Sequence, residues 1–88
     1  MNEERFRQEL ASGGYGEAQF KDFEPGLDGP LHTHDFSVRL MVVSGEFTLA
    51  GEDGSKTFRP GEICELSAGV PHAEHTGPAG ARVLLGKK

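Results

Sequence analysis

The stretch HTHDFSVRLMVV, residues 32–43, decides the fold because it sets two histidines inside an apolar run. Side chains two residues apart on a β-strand share a face, so His32 and His34 would lie side by side. The stretch predicts the longest strand of the chain. One face would carry His32, His34, Phe36, Val38, Leu40 and Val42, and the other Thr33, Asp35, Ser37, Arg39, Met41 and Val43.

The rest of the chain reads as short strands separated by glycine and proline turns. Before the histidines, Ala18, Phe20 and, less regularly, Phe23 predict the apolar side of a strand. After them we expect a hairpin turn at Ser44-Gly45 and a turn over residues 51–54. Strands are predicted at 46–50, 56–59, 62–66, 72–76 and 81–85, with a further turn over 77–80. Short strands at this spacing indicate an all-β sandwich or barrel.

The N-terminal segment has the pattern of a short helix. Asn2 is a favourable N-cap, and Phe6 and Leu10 are four residues apart and share a helical face. Gly13 and Gly14 would end the segment. The sequence therefore predicts a helix over residues 2–11 that packs on a barrel over residues 15–86, with a frayed terminus as the alternative.

Composition limits the classes of function. The 88 residues predict one domain, 1–88, with a modest core. A net charge of −5 with scattered Lys and Arg argues against a nucleic-acid or acidic-membrane partner. Cys64 is the single cysteine, which excludes an intrachain disulfide, and its expected role is that of a small buried hydrophobe. No signal peptide or bilayer-spanning stretch is visible, so we expect a soluble cytoplasmic protein.

Two spaced motifs carry a family resemblance. Gly26, five further residues, His32-Thr33-His34 and then Gly45 closely resemble the first cupin motif. Residues 60–72, with Gly61, Gly69 and His72, resemble the second. The resemblance to small single-domain cupins implies an antiparallel jelly-roll β-barrel. It also implies a divalent metal ion (Zn, Fe, Ni or Mn) held by His32, His34 and His72.

The chain departs from the family pattern at the glutamate of the first motif. That position falls on Val38, or on Arg39 with the longer spacing, and neither is a carboxylate. Asp35 is on the opposite strand face from His34, and His75 would face away from the site. The sequence therefore predicts a three-histidine site with its remaining positions open. Phe36, Val38, Leu40 and Leu66 are predicted to line its pocket.

Three functions follow from this interpretation. The first is a metal-dependent enzyme, of oxygenase or isomerase type, acting on an unknown small molecule. The others are a metal- or ligand-sensing barrel and a metal-free, non-catalytic module. Met41 and Val43 are apolar on the face assigned to the outside, which predicts a homodimer. The strand parity of Arg39 places it outside the cavity.

Overall fold

The computed structural model describes residues 3–88, which form one helix and five antiparallel strands. The predicted Asn2 cap lies outside the described residues. In chain order the elements are α1 (Glu3–Ser12), β1 (Gln19–Phe23), β2 (Val38–Gly51), β3 (Gly54–Phe58), β4 (Ile63–Leu66) and β5 (Ala73–Lys87). No helix of the described chain is both long and apolar enough to cross a membrane.

Strand β2 is the centre of the sheet. One of its edges pairs with β5 along both halves of the strand. On the other edge, its first half pairs with β4 and its second half with β3. Strand β1 completes the sheet on the far side of β5. This is the small antiparallel jelly roll with a short N-terminal helix that the sequence predicts.

Two predicted turns are wrong, because the chain runs through them as continuous strand. The Ser44-Gly45 position lies inside β2 and residues 77–80 lie inside β5. The β2–β5 register shifts on both sides of Gly45, which marks β-bulges. Gly45 and Gly80 have φ of 77° and 70°, and a Cβ on Gly45 would overlap the Gly80 carbonyl oxygen. These glycines therefore bend two long strands together.

The predicted strand over residues 32–43 begins only at Val38. Upstream, His32 forms an isolated bridge with His72, and the segment then bends through Asp35 and Phe36. The His34 carbonyl accepts a hydrogen bond from the Gly69 amide, which belongs to a loop. The two histidines are therefore held by the β4–β5 connection and lie outside a regular strand.

The sheet has a buried cluster on each face. The inner cluster fills the concave side and comprises Leu40, Val42, Phe47, Phe58, Cys64, Ala81, Val83 and Leu85. The outer cluster lies between α1 and the sheet and comprises Phe6, Leu10, Met41 and Leu84. Phe6 and Leu10 are each 1% exposed, as their helical spacing predicts.

Two apolar residues differ from their predicted environments. Met41 is on the outward face but is only 5% exposed, because α1 covers it. It therefore cannot form part of an exposed dimer patch, whereas Val43 is 36% exposed. Phe20 is 42% exposed, and the guanidinium groups of Arg7 and Arg82 both lie over its ring. The alternation in β1 thus places Phe20 outward.

Candidate metal centre

Four side chains converge at one end of the concave face. His32 and His34 come from the bent segment before β2, His72 precedes β5, and Glu74 is the second residue of β5. Each offers one potential ligand atom, and these atoms all lie within 4.8 Å of one another. The three imidazole centroids are 4.4–4.9 Å apart. The bridge between His32 and His72 holds the two motif segments together.

Backbone carbonyls fix the tautomers of two histidines. His32 Nδ1 lies 2.7 Å from the Pro30 carbonyl oxygen, and His72 Nδ1 lies 2.9 Å from that of Val70. A carbonyl only accepts, so both Nδ1 atoms must donate their protons. The neutral rings then present Nε2 lone pairs. His72 Nε2 is buried and has no hydrogen-bond partner within residues 3–88.

Glu74 adds a carboxylate to the three imidazoles. Its Oε1 atom lies 3.5 Å from His32 Nε2, and its side chain is 22% exposed. A carboxylate oxygen and a neutral imidazole lone pair are both acceptors, so the group lacks a donor between them. A cation or a proton must therefore be shared by these atoms. Three imidazole nitrogens and one carboxylate oxygen suit a divalent transition metal, and the residues fit such an ion.

The environment of His34 favours its neutral, ligand-competent form. Its ring stacks on Phe36, with centroids 4.7 Å apart and planes inclined by 17°. Burial is the main cause that lowers the pKa of His34, and the neighbouring His72 and His32 lower it further. Phe36 therefore supports a ring of the site from outside the cavity.

A cavity of about 30 Å³ lies beside the four side chains. Its walls are His34, Val38, Leu40, Phe47, Leu49, Cys64, Leu66, His72 and Glu74. Of the four predicted lining residues, Val38, Leu40 and Leu66 lie on these walls and Phe36 does not. Burial is the main cause that raises the pKa of Cys64 to about 12, so its thiol is protonated at neutral pH. The wall is thus apolar apart from the thiol and the donor side chains.

A larger groove of about 370 Å³ reaches the same site from outside. It runs between the β2–β3 turn and the loop that precedes β5. Leu49, Leu66 and His72 line both the groove and the cavity. A small molecule in the groove would therefore lie next to the imidazoles.

Glu74 is absent from the predicted ligands because it does not occupy the position where the family motif places a carboxylate. That position, Val38, is on the cavity wall. Glu74 instead follows His72 by two residues, and residues at that spacing in an extended chain share a face. The pattern His72-x-Glu74 was thus the available signal.

The remaining candidates lie away from the site. His75 faces outward, with Nδ1 2.8 Å from Asp28 Oδ1. Asp35 is exposed. Arg39 forms ion pairs with Glu9 and Glu65 on the side of the helix. These positions agree with the strand parities expected for His75 and Arg39.

Solved structures with this fold come from several bacteria. Protein NMB1881 from Neisseria meningitidis is 26% identical to this chain. The match covers 81% of this chain and 72% of that one, with a TM-score of 0.66. An RmlC-like cupin from Shewanella frigidimarina is 25% identical, with coverages of 81% and 63% and a TM-score of 0.68. A structure from work on the DMSP lyases RdDddP and RnDddQII is also 25% identical, with coverages of 81% and 37% and a TM-score of 0.71. This chain thus spans just over a third of the length of that last protein.

No curated protein matches the sequence. The Cupin domain family, Cupin_2, matches residues 19–85, which include every strand from β1 to β4 and nearly all of β5. The two histidine motifs, the jelly roll and this match agree. The chain therefore belongs to the cupin family.

Proposed function

We propose that this cupin binds one divalent transition-metal ion through His32, His34, His72 and Glu74, and acts on a small organic molecule. The observation that carries the proposal is the buried Nε2 of His72, which has no hydrogen-bond partner within the described chain. An unpaired buried acceptor costs free energy, and here it faces two further imidazoles and a carboxylate. Metal coordination would satisfy all four groups at once.

The donor set limits the metal by class. Three nitrogens and one oxygen suit Zn, Fe, Ni or Mn, whereas Ca²⁺ and Mg²⁺ prefer all-oxygen sites. When bound, such an ion would polarise a substrate oxygen or lower the pKa of a coordinated water. One carboxylate also leaves less uncompensated positive charge than a site with three neutral imidazoles.

The protein's own side chains would prepare this chemistry in two ways. The carbonyls of Pro30 and Val70 keep the protons of His32 and His72 on Nδ1, so both Nε2 atoms stay available. Val38, Leu40 and Leu66 exclude water from one side of the donor group, which strengthens electrostatic interactions there. The groove beyond His72 supplies the space for a substrate.

An enzyme is the form of this proposal that the neighbours favour. A structure from work on DMSP lyases is 25% identical to this chain over 81% of its length. The fold alone does not select a reaction, and oxygenase and isomerase chemistry remain within the proposal. A metal-free, non-catalytic module is the alternative. It would leave His72 Nε2 without a partner unless a proton is shared with Glu74.

The decisive experiment measures metal stoichiometry and affinity for the parent and for Glu74→Gln. We expect one metal per chain in the parent. The amide keeps the size of Glu74 but removes its charge from the donor group, so affinity should fall at least about tenfold. Elemental analysis and competitive chelator titration give the two quantities. A parent protein that holds no stoichiometric metal after loading would refute the proposal.

Glu52→Gln is the matched control for Glu74→Gln, because Glu52 is an exposed carboxylate in the β2–β3 turn. Its metal affinity should equal that of the parent. If both substitutions weaken metal binding equally, Glu74 acts through the overall negative charge of the protein and not as a ligand. The turnover of small carbonyl, thiol and carboxylate compounds by the loaded protein then separates an enzyme from a binding module.

A homodimer and a cytoplasmic location also remain predictions. With Met41 covered by α1, the proposed dimer surface reduces to Val43 and its surroundings. A monomer mass in light scattering at micromolar concentration would contradict the dimer.

A further inference from the structure

Two edge strands of the sheet, β1 and β3, carry the same short pattern, a lysine followed two residues later by a phenylalanine. Lys21 precedes Phe23 in β1, and Lys56 precedes Phe58 in β3. Each ammonium lies over its phenylalanine, with Nζ 4.8 Å and 5.1 Å from the two ring centroids. The phenylalanines pack in or against the inner cluster. Residues at this spacing share a strand face, so both lysines belong to the concave side.

Neither ammonium group is neutralised by a nearby acid. Within residues 3–88, no carboxylate oxygen lies within 4.0 Å of Lys21 or Lys56. Arg39, Arg59 and Arg82, in contrast, each form an ion pair. Two cations therefore stand on the side of the site with no protein counter-charge in contact.

Lys56 is also part of the groove that reaches His72. The groove is walled by the apolar side chains of Leu49, Leu66, Val70 and Pro71, and Lys56 is its basic residue. In the β2–β3 register Lys56 is directly opposite Leu49. The acids of the groove, Glu52 and Asp53, occupy the turn beyond the Gly51–Gly54 pair. A ligand lying along the walls would therefore meet the Lys56 ammonium between the turn and the site.

Lys21 and Lys56 differ in their positions relative to the groove. Lys56 is on its wall, whereas Lys21 is on β1, which β5 separates from β2. Lys21 would therefore act on an anion in the groove only at longer range.

We propose that the groove binds a small organic monocarboxylate with an apolar body, whose carboxylate is held by Lys56 and attracted by Lys21. One ammonium and a hydrocarbon wall match a single anionic charge on an aliphatic chain. The inference deepens the proposed function. It rests on that function only for the position of the far end of the ligand, which would lie at the metal-binding side chains.

The test is a ¹⁵N–¹H NMR titration of the zinc-loaded protein with hexanoate. We expect saturable shifts at the amides of the groove residues, and hexanol and hexylamine should bind at least about tenfold more weakly. Lys56→Met should weaken hexanoate binding about tenfold, and Lys56→Arg should restore most of it. Lys21→Met should weaken it about threefold, because that lysine acts at longer range.

Lys88→Met is the control, since Lys88 bonds the Gly13 carbonyl on the helix side. It removes the same charge and should leave hexanoate affinity unchanged. Equal affinity in the parent and Lys56→Met would overturn the inference, as would hexanol binding as tightly as hexanoate.

The same titration on zinc-free protein separates the two proposals. In zinc-free protein the ratio of hexanoate affinities between the parent and Lys56→Met should be the same, because the ammonium holds the carboxylate without the metal. If zinc fails to bind but this ratio remains, the proposed function fails and the carboxylate site stands. If zinc binds and hexanoate affinity depends only on zinc, the carboxylate site fails alone.

Discussion

Alternate residues of β2 enter two different environments. Leu40 and Val42 point into the inner cluster, and Leu40 also lines the cavity beside the histidines. Met41 points to the opposite side, where Phe6 and Leu10 of α1 cover it. One strand therefore provides part of the candidate site with one face and anchors the helix with the other.

The two sides differ in how their polar groups are satisfied. On the outer side Arg39 donates to Glu9 and Glu65, and the Tyr15 hydroxyl also donates to Glu65. The hydrogen bond to Glu9 is the main cause that raises the pKa of Arg39. On the inner side His72 Nε2 has no hydrogen-bond partner within residues 3–88. The polar groups of the outer network are thus paired within the protein, whereas the lone pair of His72 Nε2 has no donor among the described residues, in keeping with the proposed metal site.

The largest expected effect is on the inner side. His72→Ala removes a buried ring whose Nε2 faces the other donors. Metal affinity should fall by more than the ~10- to 100-fold that the loss of an outer-shell partner costs, because a direct ligand is lost. His75→Ala, three residues along β5, removes a ring paired with Asp28 outside the site and should leave affinity within about twofold. Elemental analysis and chelator competition on both variants measure this contrast. Equal retention of metal by both would remove the functional distinction between the two sides.

The next largest effect is on the outer side. Phe6→Ala deletes a ring that is 1% exposed, which should lower the free energy of unfolding by about 3–5 kcal/mol. Metal affinity of the folded variant should stay within about twofold, because Phe6 packs in the outer cluster, whereas the donors lie beside the inner one. Urea denaturation and chelator competition give the two values, and Glu4→Ala, at an exposed helix position, is the control. A parallel loss of metal affinity would show that the two sides are coupled.

The smallest effect is the pH response of the outer network. The hydrogen bond from Tyr15 is the main cause that lowers the pKa of Glu65, and Arg39 lowers it further. The carboxylate therefore stabilises the fold above its unfolded-state pKa of about 4.5, and this contribution is lost as pH falls through the lower folded-state value. Glu65 is 57% exposed, so the contribution should not exceed about 1 kcal/mol.

Urea denaturation of the parent and of Glu65→Gln at neutral pH and at about pH 3 tests this linkage. The difference in unfolding free energy should be present at neutral pH and shrink at the acid end. A constant difference across this range would mean that Glu65 acts through packing and not through its charge.

The features that short sequence patterns encode were predicted best. The His32-Thr33-His34 pair, the spacing to His72 and the glycines of both motifs carry the resemblance to cupins, and that resemblance implies the jelly roll. The Phe6 and Leu10 spacing predicted the buried face of α1. These signals succeeded because each depends on a short repeat or on a residue type that metal chemistry favours.

Sequence-based prediction failed for features that depend on contacts with distant parts of the chain. Gly45 and Gly80 resemble turn residues, and only the backbone contact between them shows that they form bulges in continuous strands. The strand alternation correctly predicts that Met41 lies on the outward face of the sheet, yet no local pattern could show that α1 would cover it. Glu74 entered the donor group from the second motif, on the strand opposite the one where a carboxylate was expected.

The central pairing of β5 has a consequence for synthesis on the ribosome. Residues 73–87 supply the neighbour for β1 and for both halves of β2. A nascent chain that lacks them has only the local β2–β3 and β2–β4 pairings and no partner for β1. The complete sheet can therefore form only after β5 has left the exit tunnel. Until then the inner cluster lacks Ala81, Val83 and Leu85, and its remaining apolar side chains are open to aggregation.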